Sequence, residues 1–448
     1  MSPELTVCIP AYRSEAFLQN TLLSLLSQSY PNFAVEIAIE PPAEAVLEAC
    51  APLLQDERVE VVINPEVLGW AENIRRLLNR VKTPYFMILF HDDLLMNDYV
   101  SSLLGELSQR PQASVAYSDM VCFGQESFRW RLRLTDEPVF DRLMSFFIGG
   151  TEAVPVRGIT RSSVLEKHDF PTDKYGGFAC ECEWVLHLLI AGQAIHVPRP
   201  LYLKRVFGPK EISASSQRLR GHSREYLLEA LEHHRANMLA LIRQANLPRQ
   251  QRQAAELAAE AALLRRHMTF NMGAFSPIQL ARSEKIKTNA AATLGRYSKE
   301  VEAMLLLAMS RHALAESDRK SALDLAIAAV NANPVQPEGL VHLSRLQLAA
   351  GQNIEAFNTA LRAWTIEPDA RGQRELIADY ENTMEQRRIF EMMRNGQAAT
   401  VGARFDVAAY LNDHPDVAAA GMDAWQHFCE FGWHEGRKVS LFPTPINN

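Results

Sequence analysis

The chain reads as an α/β protein, a mostly parallel sheet flanked by helices, followed by an all-α, repeat-like region. Three observations predict this. Short apolar runs alternate with amphipathic helical stretches through roughly the first 210 residues. After residues 213–216 the composition shifts to alanine, leucine, arginine and glutamate. Several residues of that second part then recur 34 positions apart.

The totals bound the class. With 448 residues, 47% hydrophobic and 22% charged, the composition is that of an ordinary globular protein of two to four domains. A net charge of −7 gives no electrostatic footprint for nucleic acid. No stretch approaches the ~18–20 apolar residues that span a bilayer, and the start lacks a signal-peptide pattern. The expected location is cytoplasmic, with any contact at the inner face of the membrane made through partners. Six scattered cysteines form no disulfide framework or zinc pattern and read as reduced and packed.

Residues 5–10 (LTVCIP) form the first buried strand, ended by proline. Ser14 can cap the next helix, with Glu15 in its first turn, and Leu18, Leu22, Leu25 and Leu26 recur on one face. Strands follow at 35–39 and 59–63 around a helix at 44–54, and a helix over 70–81 leads to the central strand. That strand, within residues 84–96 (PYFMILFHDDLLM), is apolar until His91 and then stops on Asp92 and Asp93. Ligands of open α/β sheets sit beyond the carboxyl ends of strands, and two carboxylates there suit a divalent metal carrying phosphates. The plain alternative is a pair of N-capping aspartates for the helix beginning near Asn97.

The segments IPAYRSEAFLQNTLLSLLSQSYPNF and NPEVLGWAENIRRLLNRVKTPYFMILFHDD carry a resemblance to family 2 glycosyltransferases, running over about residues 5–207. The resemblance implies a GT-A fold, inverting transfer to a hydroxyl, a nucleotide-sugar donor (UDP-sugar) and a divalent metal (Mn2+ or Mg2+). It places Pro10, Ala11, Tyr12 and Glu15 in the loop receiving the nucleoside. Glu40, at the end of the second strand, and Asn73 join them. His91 and Asp93 match the outer positions of the family's Asp-x-Asp motif, with Asp93 as metal ligand and Asp92 beside the donor. Two departures stand out: Glu40-Pro41-Pro42 replaces an acidic pair, and His91 replaces the first acid.

Arg157 and Arg161, at i and i+4, have guanidinium forks that can hold a diphosphate, or else form salt bridges on a solvated face. The run from Gly176 to Trp184 resembles the family's acidic motif that supplies the catalytic base. Glu181 fits that position and Glu183 is second choice, with an acidic helix N-terminus as the structural alternative. Glu183 is expected to form a surface pair with His187 at i+4. The closing strand at 201–206 is followed by no histidine where relatives carry one that completes the metal's coordination.

Beyond 213, long helices are expected at 222–244 and 249–268, broken at Leu247-Pro248. Ala322 and Ala356, Ala329 and Ala363, Pro334 and Pro368, and Leu314 and Leu348 set the tetratricopeptide-like period over 303–336 and 337–370. The final stretch resembles a short module of bacterial surface-polysaccharide proteins, with Phe405, Tyr410, Trp425, Phe428 and Trp433 as its core. Its His414, His427 and His434 are read as packing and capping groups. The expected organisation is a catalytic domain at 1–212, a helical linker region at 213–300, repeats at 301–396 and the small module at 400–441. The functional expectation is glycosyl transfer to a glycan, lipid-linked or protein hydroxyl in surface-polysaccharide or glycoconjugate synthesis. Self-association or a protein partner is expected at the repeats. The rival expectation is an inactive glycosyltransferase-like scaffold acting through its helices.

Overall fold

The computed structural model describes residues 2–134, 138–207, 222–269, 272–368, 372, 373, 376, 385, 388, 389, 391–432, 435 and 437–441. Its centre is β1 (Leu5–Ala11), buried at every position and apolar but for Thr6, whose hydroxyl meets that of Thr83 at 2.8 Å. β1 pairs in parallel with β2 (Phe33–Ile39) on one side and β4 (Tyr85–Ile88) on the other. β3 (Val59–Ile63) extends the parallel run beyond β2. The resulting order 3-2-1-4 reverses direction at β1, which opens a crevice at the carboxyl ends of β1 and β4.

The sheet then departs from the parallel pattern. β8 (Ile159–Arg161) inserts antiparallel between β4 and the long β6 (Ala113–Gly124). β6 runs parallel to β9 (Gln193–Val206), and the short β5 (Leu94–Leu95) and β7 (Phe128–Trp130) pair antiparallel with β9 and β6. The sheet is thus mixed, parallel where the first 90 residues predict it. Helices α1 (Leu18–Leu26), α2 (Glu44–Cys50), α3 (Trp70–Leu78), α4 (Tyr99–Gln109) and α5 (Val139–Ile148) flank it. α6 (Cys180–Ala191) is apolar on nearly every side, with Trp184, Val185, Leu188 and Leu189 all buried, as a helix covered on all faces must be.

The covering comes from further along the chain. α7 (Arg224–Gln244) and α8 (Arg249–Thr269) pack against α5 and α6. α9 (Pro277–Thr293) and α10 (Ser298–Ala315) complete that layer. Ala230, Met238, Ala258, Ile286, Met304 and Ala308 belong to the same apolar core as the sheet. Residues 224–308 are therefore a wall of the sheet domain and not a spacer. Small alanines let α7, α8 and α10 approach closely.

α11 (Arg319–Ala332), α12 (Pro337–Ala349) and α13 (Asn353–Ile366) continue from α10 as antiparallel pairs around a second core containing Ala322, Val330, Leu340 and Ala363. One bond repeats with the sequence period. Ser310 Oγ donates to the Ala322 carbonyl at 2.6 Å, and Ser344 Oγ donates to the Ala356 carbonyl at 2.6 Å. Each partner has moved on by 34 residues. A third core gathers Phe405, Tyr410, Val417 and Phe428, with Trp425 against it. There His427 meets the Tyr410 hydroxyl and His414 the Lys438 carbonyl. Trp433, His434 and residues 369–371 lie outside the described residues. Among the described residues, no helix is long and apolar enough to cross a membrane.

Candidate active site

A cavity of about 500 Å³ opens at the carboxyl ends of β1 and β4. It is of a size to hold one nucleotide-sized ligand. Pro10, Ala11 and Tyr12 form one wall, and Glu40 and Asn73 line it below. Glu40 has its carboxylate Oε1 occupied by the backbone N–H groups of Leu68 and Gly69, at 3.1 and 2.6 Å. The Asn73 side-chain amide donates to the Ala38 carbonyl, and its oxygen accepts from Asn64. These two residues therefore shape the cavity by clasping the loop before α3 to β2. Glu15 is exposed and does not reach the cavity.

After β4 the chain turns tightly, with the Asp93 N–H bonded to the Phe90 carbonyl. Thr21 of α1 holds the turn by donating to the His91 and Asp93 carbonyls, both at 2.9 Å. The turn sends the adjacent carboxylates in different directions. Asp92, with His91, lines the cavity. Burial, and then the neighbouring Asp93 charge, raise the Asp92 carboxyl above its ordinary value.

Asp93 also touches the cavity wall but is only 1% exposed. One of its oxygens accepts from the Arg205 N–H at 2.8 Å. The other accepts from Tyr202 Oη at 2.8 Å and Arg157 Nε at 3.3 Å. With three protein donors on it, Asp93 ties β4 to β9, while Asp92 lines the cavity beside it. The residues still fit a divalent cation, because magnesium and manganese need only one or two protein carboxylates when phosphates accompany them. His91 Nδ1 lies 3.0 Å from the Pro10 carbonyl, which makes it the donor nitrogen and leaves the Nε2 lone pair for a ligand.

Among the described residues, four cationic side chains line the same cavity: Arg157, Lys204, Arg205 and Arg266. Arg157 stacks 4.5 Å above the Phe90 ring and pairs with Asp93, so its position is fixed. Arg205 is gripped between Phe17 and Phe123. Arg161 is not part of this set. Because β8 runs antiparallel to β4, the Arg161 end of the strand lies opposite Tyr85, at the far edge of the sheet. There its guanidinium donates to the Ala113 and Leu107 carbonyls. Arg157 closes a short helical turn (Val154–Arg157) and Arg161 closes the strand after it, so the i, i+4 spacing separates the two arginines instead of pairing them.

The opposite wall is the 175–181 segment. Gly177, at φ +82°, sits against the Trp70 indole, where an added Cβ would come within 2.7 Å of the ring nitrogen. The Trp70 indole N–H in turn donates to the Gly176 carbonyl at 3.0 Å. Asp173 accepts from the Tyr175 and Gly177 N–H groups. Ala179 precedes α6 at φ +57°, a costly conformation for a residue with a Cβ. The kink presents Glu181, in the first turn of α6, to the cavity. Glu183 faces the other way. It is 4% exposed, accepts from or shares a proton with His234 Nδ1 at 2.7 Å, and accepts from Asn237. The expected surface pair with His187 is replaced by this buried link from α6 to α7. Burial pushes the Glu183 carboxyl up to about 8 and the His234 imidazole down to about 3.

The structure adds residues that the sequence did not single out. His222 lines the cavity, stacked 3.8 Å from the Tyr226 ring. Lys204, Arg205 and Arg266 carry no motif of their own; a strand end matched to the site was the only available signal for the first two.

Residues 6–168 match the family described as Glycosyl transferase family 2. Among curated proteins, the chain is 21% identical over 140 residues to glycosyltransferase GlyA of Streptococcus pneumoniae serotype 4, covering 31% of this chain and 20% of that protein. It is 26% identical over 108 residues to an uncharacterized glycosyltransferase of Haemophilus influenzae, covering 24% and 43%. The chain thus spans less than half the length of either relative. Among solved structures it is similar to S. aureus TarS 1-349 in complex with UDP-GlcNAc, with TM-score 0.49, 14% identity and coverage of 74% and 91%. It is also similar to the mannosyltransferase PcManGT from Pyrobaculum calidifontis in complex with GDP-Man and Mn2+, with TM-score 0.40, 14% identity and coverage of 70% and 87%. The family match, over residues 6–168, takes in β2 to β8 and the turn bearing His91 and Asp92.

Proposed function

We propose that the chain is an inverting glycosyltransferase that moves a sugar from a nucleoside-diphosphate donor, by preference a UDP-sugar, to a hydroxyl acceptor in surface-polysaccharide or glycoconjugate synthesis. The observation that carries this is the convergence of Asp92, Glu181 and four cationic side chains on one cavity at the carboxyl edge of the sheet. In this reading the nucleoside lies against Pro10, Ala11 and Tyr12, with Glu40 and Asn73 framing its wall. Arg157, Lys204 and Arg205 face the diphosphate, held in place before substrate arrives, which is what makes electrostatic stabilisation of a leaving group effective. Glu181 takes the proton from the acceptor hydroxyl as its oxygen attacks the anomeric carbon from the side opposite the diphosphate. Fixing donor and acceptor in that geometry removes much of the entropic barrier. Asp92 and His91 would hold a divalent cation, which when bound supplies charge neutralisation on the leaving diphosphate.

Titration calorimetry with uridine diphosphate tests the donor site. Affinity is expected to rise at least tenfold when manganese replaces chelator, and Asp92→Asn is expected to remove that gain. Equal affinity with manganese and with chelator would remove the metal from the reading.

A further inference from the structure

We infer that a second cavity, between the sheet domain and the helical array, binds an anionic saccharide chain and leads it to Glu181. The inference rests on the transferase reading above and names its acceptor class. This cavity measures about 1020 Å³, room for several sugar rings. Its walls come from β7 and the residues just after it, the turn between α5 and β8, α8, α10 and α12.

Charge sets it apart. Among the described residues, seven arginines line it against four glutamates, in a chain whose net charge is −7. The acids present are shared between guanidinium groups. Glu338 pairs with both Arg265 and Arg311, the latter at 2.8 Å. Asp119, behind the wall, takes Arg129 at 2.6 Å and lies 3.8 Å from Arg131. Arg131 also lies 3.9 Å from Glu367, so Arg129, Arg131, Arg265 and Arg311 share three carboxylates and the lining keeps more cations than acids. Arg133 and Arg345 line the same cavity as exposed side chains, one from the sheet domain and one from the helical array, and among the described residues neither is in an ion pair. Guanidinium forks match phosphate and carboxylate oxygens. Trp130, partly exposed beside Phe128, offers an apolar face for a sugar ring.

Position completes the argument. Arg266 lines both cavities and is anchored at their junction by donating to the Thr151 carbonyl and hydroxyl, at 3.1 and 3.0 Å. A chain lying in the second cavity therefore ends next to the pocket that holds Glu181.

The test is direct binding to the full-length protein, using three labelled probes: oligogalacturonate, inorganic polyphosphate and neutral dextran. At least one anionic probe is expected to bind, with an affinity that falls as salt rises, while dextran does not. Arg133→Glu combined with Arg345→Glu is expected to weaken that binding at least tenfold, and the matching glutamine pair by less, with uridine diphosphate affinity unchanged. The better anionic probe identifies carboxylate or phosphate as the recognised group. Dextran binding as tightly as both anions, or anions binding wild type and the glutamate pair alike, would overturn the inference. So would a single-stranded oligonucleotide that outcompetes both anionic probes. Failure of wild type to bind uridine diphosphate, with the anion result intact, would count against the transferase reading and leave the anionic site standing.

Discussion

Asp92 and Asp93 are neighbours with opposite duties, one facing the cavity and one holding β4 to β9. Removing the second should unfold more than it disables. Asp93→Asn leaves Arg157 mostly buried without its counter-charge and is expected to cost about 3–5 kcal/mol in urea unfolding, the usual effect of breaking such a pair. Asp92→Asn is expected to stay within about 1 kcal/mol of wild type, since no structural bond is lost. The Glu183–His234 pair makes a pH prediction at the same scale. The folded Glu183 carboxyl is raised from 4.5 to about 8, so its contribution is complete below pH 4.5 and is lost as pH rises to 8. The folded His234 is lowered from 6.5 to about 3, so its contribution is complete above pH 6.5 and is lost as pH falls to 3. Between 4.5 and 6.5 the slopes oppose. Above 6.5 only the Glu183 loss remains, about 2 kcal/mol by pH 8. Urea midpoints measured from pH 5 to 8.5 should therefore fall at the alkaline end, and Glu183→Gln should flatten that fall. A wild-type profile flat to pH 8.5 would mean the pair carries no shared proton.

At the scale of elements, the first four strands and their helices were legible because β1 to β4 are parallel, apolar-rich and punctuated by Pro10, Ser14 and Pro31. The turn bearing His91 and Asp92 and the segment bearing Glu181 were legible too, through their likeness to known motifs. What could not be read were bonds made across long stretches of chain. The role of Asp93 depends on Tyr202 and Arg205, more than 100 residues later, and that of Glu183 on His234, 51 residues later. The spacing of Arg157 and Arg161 suits one helix face, but a change from a short helical turn to strand β8 falls between them. The loop over 173–181 also tests as an element. Gly177→Ala adds a Cβ at φ +82° against Trp70 and is expected to cost about 1–3 kcal/mol of local strain. Donor affinity should fall at least fivefold, with the urea midpoint lowered by no more than that strain accounts for. A variant that binds uridine diphosphate like wild type would show that this loop does not shape the donor site.

At the scale of the molecule, the sheet domain is completed by helices that reach to Ala308. A chain ended near residue 216 strips the cover from α6, leaves Glu183 without His234, and is expected to be insoluble or uncooperative in unfolding. A chain ended near 312 keeps the first core whole and should unfold in a single transition. The most direct test of the whole account is turnover. The Glu181→Gln variant keeps the size of the side chain and, by this account, donor affinity, but has no proton acceptor. Transfer from the productive donor should drop by roughly two to four orders of magnitude, the usual worth of a general base. Glu183→Gln should remain within tenfold of wild type at pH 6. Normal transfer by Glu181→Gln, with donor binding intact, would contradict the account.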